Sequence, residues 1–94
     1  MKRTRSFDAY LEERLKKDSF RKAYEEEGVF VELAIQIARL REKKGLTQRQ
    51  LARQLRTSQQ TISRIESPQN GSLSLRTLIK LAHALGKELK VQLV

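Results

Sequence analysis

Ninety-four residues with no cysteine and a formal net charge of +9 point to one domain with room for an appendage. They exclude disulfides and thiolate metal sites, and they call for an acidic partner, or at the least a soluble basic surface. No apolar run approaches the roughly 20 residues of a membrane span, and the basic start MKRTRSFDAY lacks the apolar core of a secretory signal. The charge is unevenly placed. Residues 1–28 hold eight basic and seven acidic side chains, residues 29–66 eight and three, and residues 67–94 four and one. The positive excess therefore lies in the middle and the C-terminal third.

In chain order, Met1 to Arg5 reads as a basic arm. Ser6 is placed to cap a helix running to about Lys17, with Phe7, Leu11 and Leu15 on one narrow stripe and Tyr10 beside it. Asp18 is placed to cap a second helix to about Glu27, with Phe20, Ala23 and Tyr24 on one face and Gly28 closing it. Both are near or below the length that is stable alone, about 12–15 residues, so each must pack on something. Four of the five aromatic residues (Phe7, Tyr10, Phe20 and Tyr24) lie here among charges. Two readings stay open: anchors for a protein partner, or packing against the body of the same chain.

Val29 to Lys44 predicts a helix with a broad apolar face of Phe30, Leu33, Ala34, Ile37, Ala38 and Leu40. Arg39, Arg41, Lys43 and Lys44 crowd its C-terminal end, where cations suit the helix dipole, and Gly45 stops it. Leu46 to Glu66 then reads as two short helices and a tight turn. Thr47 and Gln50 have the spacing of a capping box. Leu51, Ala52 and Leu55 give the first helix its apolar side. Arg56, Thr57 and Ser58 make the break, with Ser58 as cap of the second helix, which buries Ile62 and Ile65. Gln59, Gln60, Thr61, Ser63 and Arg64 face elsewhere. A glutamine amide matches the donor and acceptor that adenine shows in the major groove, arginine forks onto guanine or phosphate, and hydroxyls suit phosphate oxygens. A short helix with amides at its N-terminal end, braced by another helix, is a geometry that docks in the major groove. The plain alternative is a helical hairpin with a solvated polar face.

Ser67 to Leu73 is a turn-rich loop containing the one proline. Ser74 is placed to cap a helix to Leu85, with Leu75, Leu78, Ile79, Leu81, Ala82 and Leu85 as its core face and Gly86 as its stop. His83, the one histidine, has no ligand-forming neighbours in sequence and reads as structural or surface. Lys87 to Val94 changes period: Leu89, Val91 and Leu93 alternate with Lys90, Gln92 and Val94, a strand pattern. A lone strand is not stable, so pairing with its own copy in a two-fold dimer is expected through Leu89, Val91 and Leu93. No phosphate loop, cysteine nucleophile or histidine pair is present. No catalytic residue, metal site or cofactor is expected.

LTQRQLA, TSQQTISRIE and SLRTLIKLAHALG together resemble the Xre/Cro-type helix-turn-helix family of prokaryotic and phage repressors. The resemblance implies a mainly α, lambda-repressor-like helix-turn-helix bundle over residues 29–86. To this the sequence adds an N-terminal helical extension (residues 1–28) and a short C-terminal strand (residues 87–94). That family usually has glycine in the turn where this chain has Arg56; a left-handed backbone there costs a non-glycine residue on the order of 1 kcal/mol. With SFDAYLEERLKKDSFRKAYEEEG ahead of LTQRQLA, the order of segments is similar to HigA-type antitoxins of type II toxin–antitoxin systems. That resemblance implies a cytoplasmic prokaryotic protein, nucleoid-associated when bound to DNA, with two partners. One is a small basic RelE/HigB-like mRNA endonuclease, which it would neutralise. The other is a palindromic operator in double-stranded DNA, bound as a homodimer to repress its own operon. Its residues would be assigned as follows. Gln48 would contact phosphate and buttress Gln59; Gln59 and Gln60 would read bases; Thr61 would touch a thymine methyl; Ser58, Ser63 and Arg64 would serve base or backbone contacts. Asn70, with Ser72, would hold the backbone. Charge and position alone add Lys44, Arg49 and Arg56 as phosphate contacts. Phe7, Tyr10, Leu11, Phe20 and Tyr24 would anchor the toxin, with Glu12, Glu13, Glu25 and Glu26 complementing its basic surface. A stand-alone Xre/Cro-type repressor without a toxin is the alternative.

Overall fold

The computed structural model describes residues 5–67 and 73–94. The described residues form five helices: α1 (Arg5–Arg14), α2 (Asp18–Lys43), α3 (Gln48–Gln54), α4 (Gln59–Ile65) and α5 (Leu75–Ala84). Among the described residues no helix is long and apolar enough to cross a membrane.

Local signals set most helix ends. Thr47 and Gln50 form a reciprocal capping box at α3: the Gln50 amide N–H donates to Thr47 Oγ1 at 3.0 Å, and the Thr47 N–H donates to Gln50 Oε1 at 2.8 Å. Ser58 and Ser74 cap α4 and α5 through their hydroxyls, each accepting the N–H three residues on at 3.1 Å. Three helices end in the same hydrogen-bonded reversal. Gly45, Arg56 and Gly86 follow the C-caps of α2, α3 and α5 with φ of 75°, 54° and 72°. In each, the residue after the left-handed one donates back across the last turn: Leu46 to Arg41 O at 3.1 Å, Thr57 to Ala52 O at 2.9 Å and Lys87 to Ala82 O at 2.8 Å.

The N-terminal third departs from the expected pattern. Ser6 lies inside helix α1 rather than ahead of it, and the helix ends at Arg14 rather than near Lys17. Lys17, not Asp18, holds the N-cap position of α2, without a side-chain cap. The expected boundary near Gly28 appears as a break at Glu27, one residue earlier. The backbone leaves helical geometry at Glu27 (φ −139°, ψ 60°) and re-enters it at once, so the two expected helices follow each other across a sharp kink within α2. The reason is packing on both sides of the kink. Phe20 and Tyr24 before it and Val31 and Ile35 after it join one cluster with Phe7, Tyr10, Leu11 and Leu15 of the α1 segment. The chain cannot turn away without opening that cluster. The Tyr24 hydroxyl donates to Glu32 Oε1 across the kink at 2.9 Å.

The second core lies under α3 and α4. Ile37 of α2, Leu51 and Ala52 of α3, Ile62 and Ile65 of α4, and Leu81 and Leu85 of the α5 segment are buried together. Leu40, Leu46, Leu55, Leu73, Leu78 and Ala84 border them. Helix α2 is thus the wall shared by both cores, with Val31 and Ile35 facing α1 and Ile37 facing the other helices. Leu75 and Ile79, expected in the core face of α5, are 62% and 45% exposed. The apolar arc of α5 is wider than the surface it covers.

The expected C-terminal strand is absent: residues 87–94 form no regular element among the described residues. A strand requires a second extended backbone to bond, and none lies beside this one among the described residues. Leu89 instead lines a groove of about 480 Å³ with Leu33, Ile37, Leu40, Leu78 and Leu85, while Val91 and Leu93 are exposed.

Phe7→Ala should cost about 3–5 kcal/mol, read as a lowered urea midpoint. Leu75→Ala, on the exposed side of α5, should move stability by no more than about 0.5 kcal/mol.

Candidate nucleic-acid interface

Helices α3 and α4 pack through Leu51, Ala52, Ile62 and Ile65, which leaves their polar side chains outward. Gln59, Gln60, Ser63 and Arg64 of α4 are exposed and Thr61 is half-buried; Arg49 and Arg53 of α3 and Arg56 of the turn are exposed. The result is a helix with two adjacent amides at its N-terminal end, an arginine of its own, and three more arginines on or beside its support.

The pair is held in place by a buried ion pair. Arg41 near the C-terminus of α2 meets Glu66, the C-cap of α4, in a bidentate contact: Nε donates to Oε2 at 2.7 Å and Nη2 to Oε1 at 3.0 Å. The two side chains are 11% and 5% exposed, so solvent does little to screen them. Arg41 Nη1 also donates to the Leu46 carbonyl at 2.7 Å, tying down the segment before α3. The hydrogen bond to Glu66 raises the Arg41 pKa above its ordinary value, outweighing the opposing effect of burial. Gln48 completes the network, its Nε2 donating to Glu66 Oε1 at 3.1 Å.

Arg41, Thr47, Gln48, Arg49 and Gln59 line an open cleft of about 430 Å³ between the N-terminal ends of α3 and α4. The structure therefore brings Gln48, Arg49 and Gln59 together. The contact it shows for Gln48 is to Glu66. The Ser58 hydroxyl is engaged as the α4 cap and lies 2.9 Å from Thr61 Oγ1. Lys44 stands apart: its Nζ donates to the Ala84 carbonyl at 2.8 Å, capping the C-terminus of α5. Asn70 and Ser72 lie outside the described residues. Of the expected partner anchors, Phe7 and Leu11 are buried and Tyr10, Phe20 and Tyr24 half-buried, all within the chain's own cluster. Tyr10 donates to Glu42 at 3.2 Å, and the Arg14 guanidinium sits 5.5 Å from the Tyr10 ring and 5.9 Å from the Phe20 ring.

Sequence reasoning passed over Arg41 and Glu66 as a pair. The signal was there. Arg41 follows Ile37 by four residues and Glu66 follows Ile62 by four, which sets both charges on core-facing stripes. Charges so placed each need a partner, because a buried charge without one is too costly, and packing decides which two meet.

Residues 37–91 match the helix-turn-helix family HTH_3. The chain belongs to that family. The matched stretch runs from Ile37 in the second core through the whole of α3, α4 and α5, so the family assignment and the geometry describe the same unit. This helix-turn-helix protein, of the Xre/Cro type, is a DNA-binding transcriptional regulator. No curated protein and no solved structure matches the chain at a significant level.

Within the helix-turn-helix the left-handed residue is Arg56, where glycine carries no side-chain penalty. Arg56→Gly should raise stability by about 1 kcal/mol, seen as a higher melting temperature. It should also weaken DNA binding and flatten the dependence of log K on log salt by about 0.9, the signature of one lost phosphate contact.

Proposed function

We propose that this protein is a sequence-specific transcriptional repressor that binds a two-fold operator as a homodimer and reads it with α4. The observation that carries the reading is the exposed pair Gln59 and Gln60 at the N-terminal end of a helix whose opposite side, Ile62 and Ile65, is buried. Two flat amides at that end suit adenine edges in the major groove. Arg49, Arg56, Ser63 and Arg64 surround them with groups for phosphate and base contacts. The exposed apolar side chains of Val91 and Leu93 are available for a two-fold contact. A two-fold dimer sets half-sites about one helical turn, ~34 Å, or a multiple apart.

A second reading adds a protein partner: a HigA-type antitoxin that also neutralises a small basic RelE/HigB-like endonuclease. What favours it is the N-terminal unit, which packs on α2 through a core of its own and keeps Glu12, Glu13, Glu25 and Glu26 exposed. That acidic surface suits a basic protein. Packing of Phe7 and Leu11 inside the chain favours the repressor without a toxin, because buried side chains offer a partner no surface.

Gln59→Ala should cost about 1–3 kcal/mol at the operator and relax discrimination at one base position, measured by titration against operator and random duplexes. An equal loss on both would remove the base-reading role. Co-expression with the adjacent reading frame separates the two readings. A complex that survives gel filtration and is lost on Glu12→Lys/Glu13→Lys supports the antitoxin. A free chain that still binds its own upstream DNA supports the repressor alone.

A further inference from the structure

Among the described residues Glu66 is the one charged residue that is buried, at 8% exposure, and it lies inside a domain that must approach polyanionic DNA. Its carboxylate receives three donors: Arg41 Nε, Arg41 Nη2 and Gln48 Nε2. Two of them lock the carboxylate. The third reaches the first residue of α3, whose side chain borders the cleft shared with Arg49 and Gln59.

We propose that Glu66 is a positioning residue for DNA recognition: clamped by Arg41, it holds the Gln48 side-chain amide by its nitrogen, so that Gln48 meets a DNA phosphate in that cleft with a preset orientation. This rests on the reading of α4 as the DNA-reading helix and of Gln48 as a phosphate contact. A glutamine amide is nearly symmetric in shape and offers donors on one side and an acceptor on the other. An ionised carboxylate accepts only, so it selects the nitrogen side and repels the flipped form. One amide N–H is then fixed on Glu66, and the second N–H and the oxygen are left for the cleft. A side chain ordered before binding gives up less freedom on meeting its ligand. Arg41 has the further effect of neutralising Glu66, so the carboxylate does not repel the phosphate that Gln48 receives. The clamp also joins the end of α4 to the start of α3, so the phosphate contact and the base-reading amides keep one register.

The test is a double-mutant cycle on the full chain. The probe is a duplex that the wild-type protein selects from a random pool. Gln48→Ala in the wild-type background should weaken binding about tenfold, the scale of one charged hydrogen bond. The combined change Arg41→Leu with Glu66→Leu replaces the ion pair by apolar side chains, a swap that leaves folding near neutral. It should itself weaken binding about tenfold, and adding Gln48→Ala should then cost less than about twofold. A second full tenfold loss in that background would overturn the proposal, because Glu66 would then act only on the fold. Should the leucine pair fail to fold, nuclear magnetic resonance of the wild-type chain decides. One Gln48 amide proton should be protected from exchange and both should shift on adding the duplex; an unprotected, unshifted pair overturns the assignment. A wild-type protein that selects no duplex would instead remove the repressor reading itself.

Discussion

The ion pair between Arg41 and Glu66 joins three parts of the chain that sequence keeps apart: the end of α2, the segment before α3 and the end of α4. Its depth makes it a constraint as well as a contact. A charge this enclosed is tolerable only while its partner is in place, and loss of one member leaves the other buried and unpaired, at a cost of about 3–5 kcal/mol. Replacing both by apolar side chains would satisfy the core equally well. What the ion pair supplies beyond packing is direction, because a bidentate guanidinium–carboxylate contact admits one geometry where a leucine pair would admit several. The outward face of α4 inherits that direction.

Helix α2 transmits the constraint to the rest of the molecule. One side of it carries Val31 and Ile35 against Phe7 and Leu11; further along, Ile37 enters the core beneath α3 and α4. The two cores meet along a single rigid element. Around the join, Arg14, Tyr10 and Glu42 form a polar seam that fixes α1 on α2, with Arg14 Nη2 donating to the Tyr10 hydroxyl at 3.1 Å and lying 3.5 Å from Glu42 Oε1. Exposed seams of this kind add little stability by themselves. Their effect is to set the angle at which the apolar stripe of α1 lands.

The turn between α3 and α4 shows a different balance. Gly45 and Gly86 end their helices in the left-handed region without steric cost, and Arg56 does the same job with a side chain that opposes it. The two backbone bonds of the reversal, Arg56 N–H to Arg53 O at 3.2 Å and Thr57 N–H to Ala52 O at 2.9 Å, hold it there. A strained residue kept in place by its surroundings fits a position where the side chain itself has work to do, and on the proposed reading the exposed guanidinium beside α4 would meet phosphate. On that reading, stability and binding pull in opposite directions at this one position.

Helix capping and helix stops were legible in residues 44–86 because they are local: Thr47, Ser58 and Ser74 bond within three residues of themselves, and Gly45 and Gly86 need only their own backbone freedom. The apolar stripes of α3 and α4 were legible for the same reason, with Leu51 and Ile62 where the helical period puts them. The N-terminal third was less so. Gly28 reads as a stop by local rules, and the helix does break at Glu27, but Phe20, Tyr24, Val31 and Ile35 share one cluster, and that long-range packing keeps the two segments in line. Leu75 and Ile79 read as core by period, yet both stay exposed among the described residues. The alternation of Leu89, Val91 and Leu93 reads as a strand, and strands exist only where a second backbone accepts their hydrogen bonds. The amino-acid sequence by itself determined the helical unit, its caps and the polar face of α4, all consequences of interactions within one or two turns. Only the tertiary structure decided that Arg41 meets Glu66, that Gln48 is drawn to that carboxylate and that Lys44 caps α5. Each of these joins residues 18 to 40 positions apart, a separation at which no local preference acts and packing alone selects the partner.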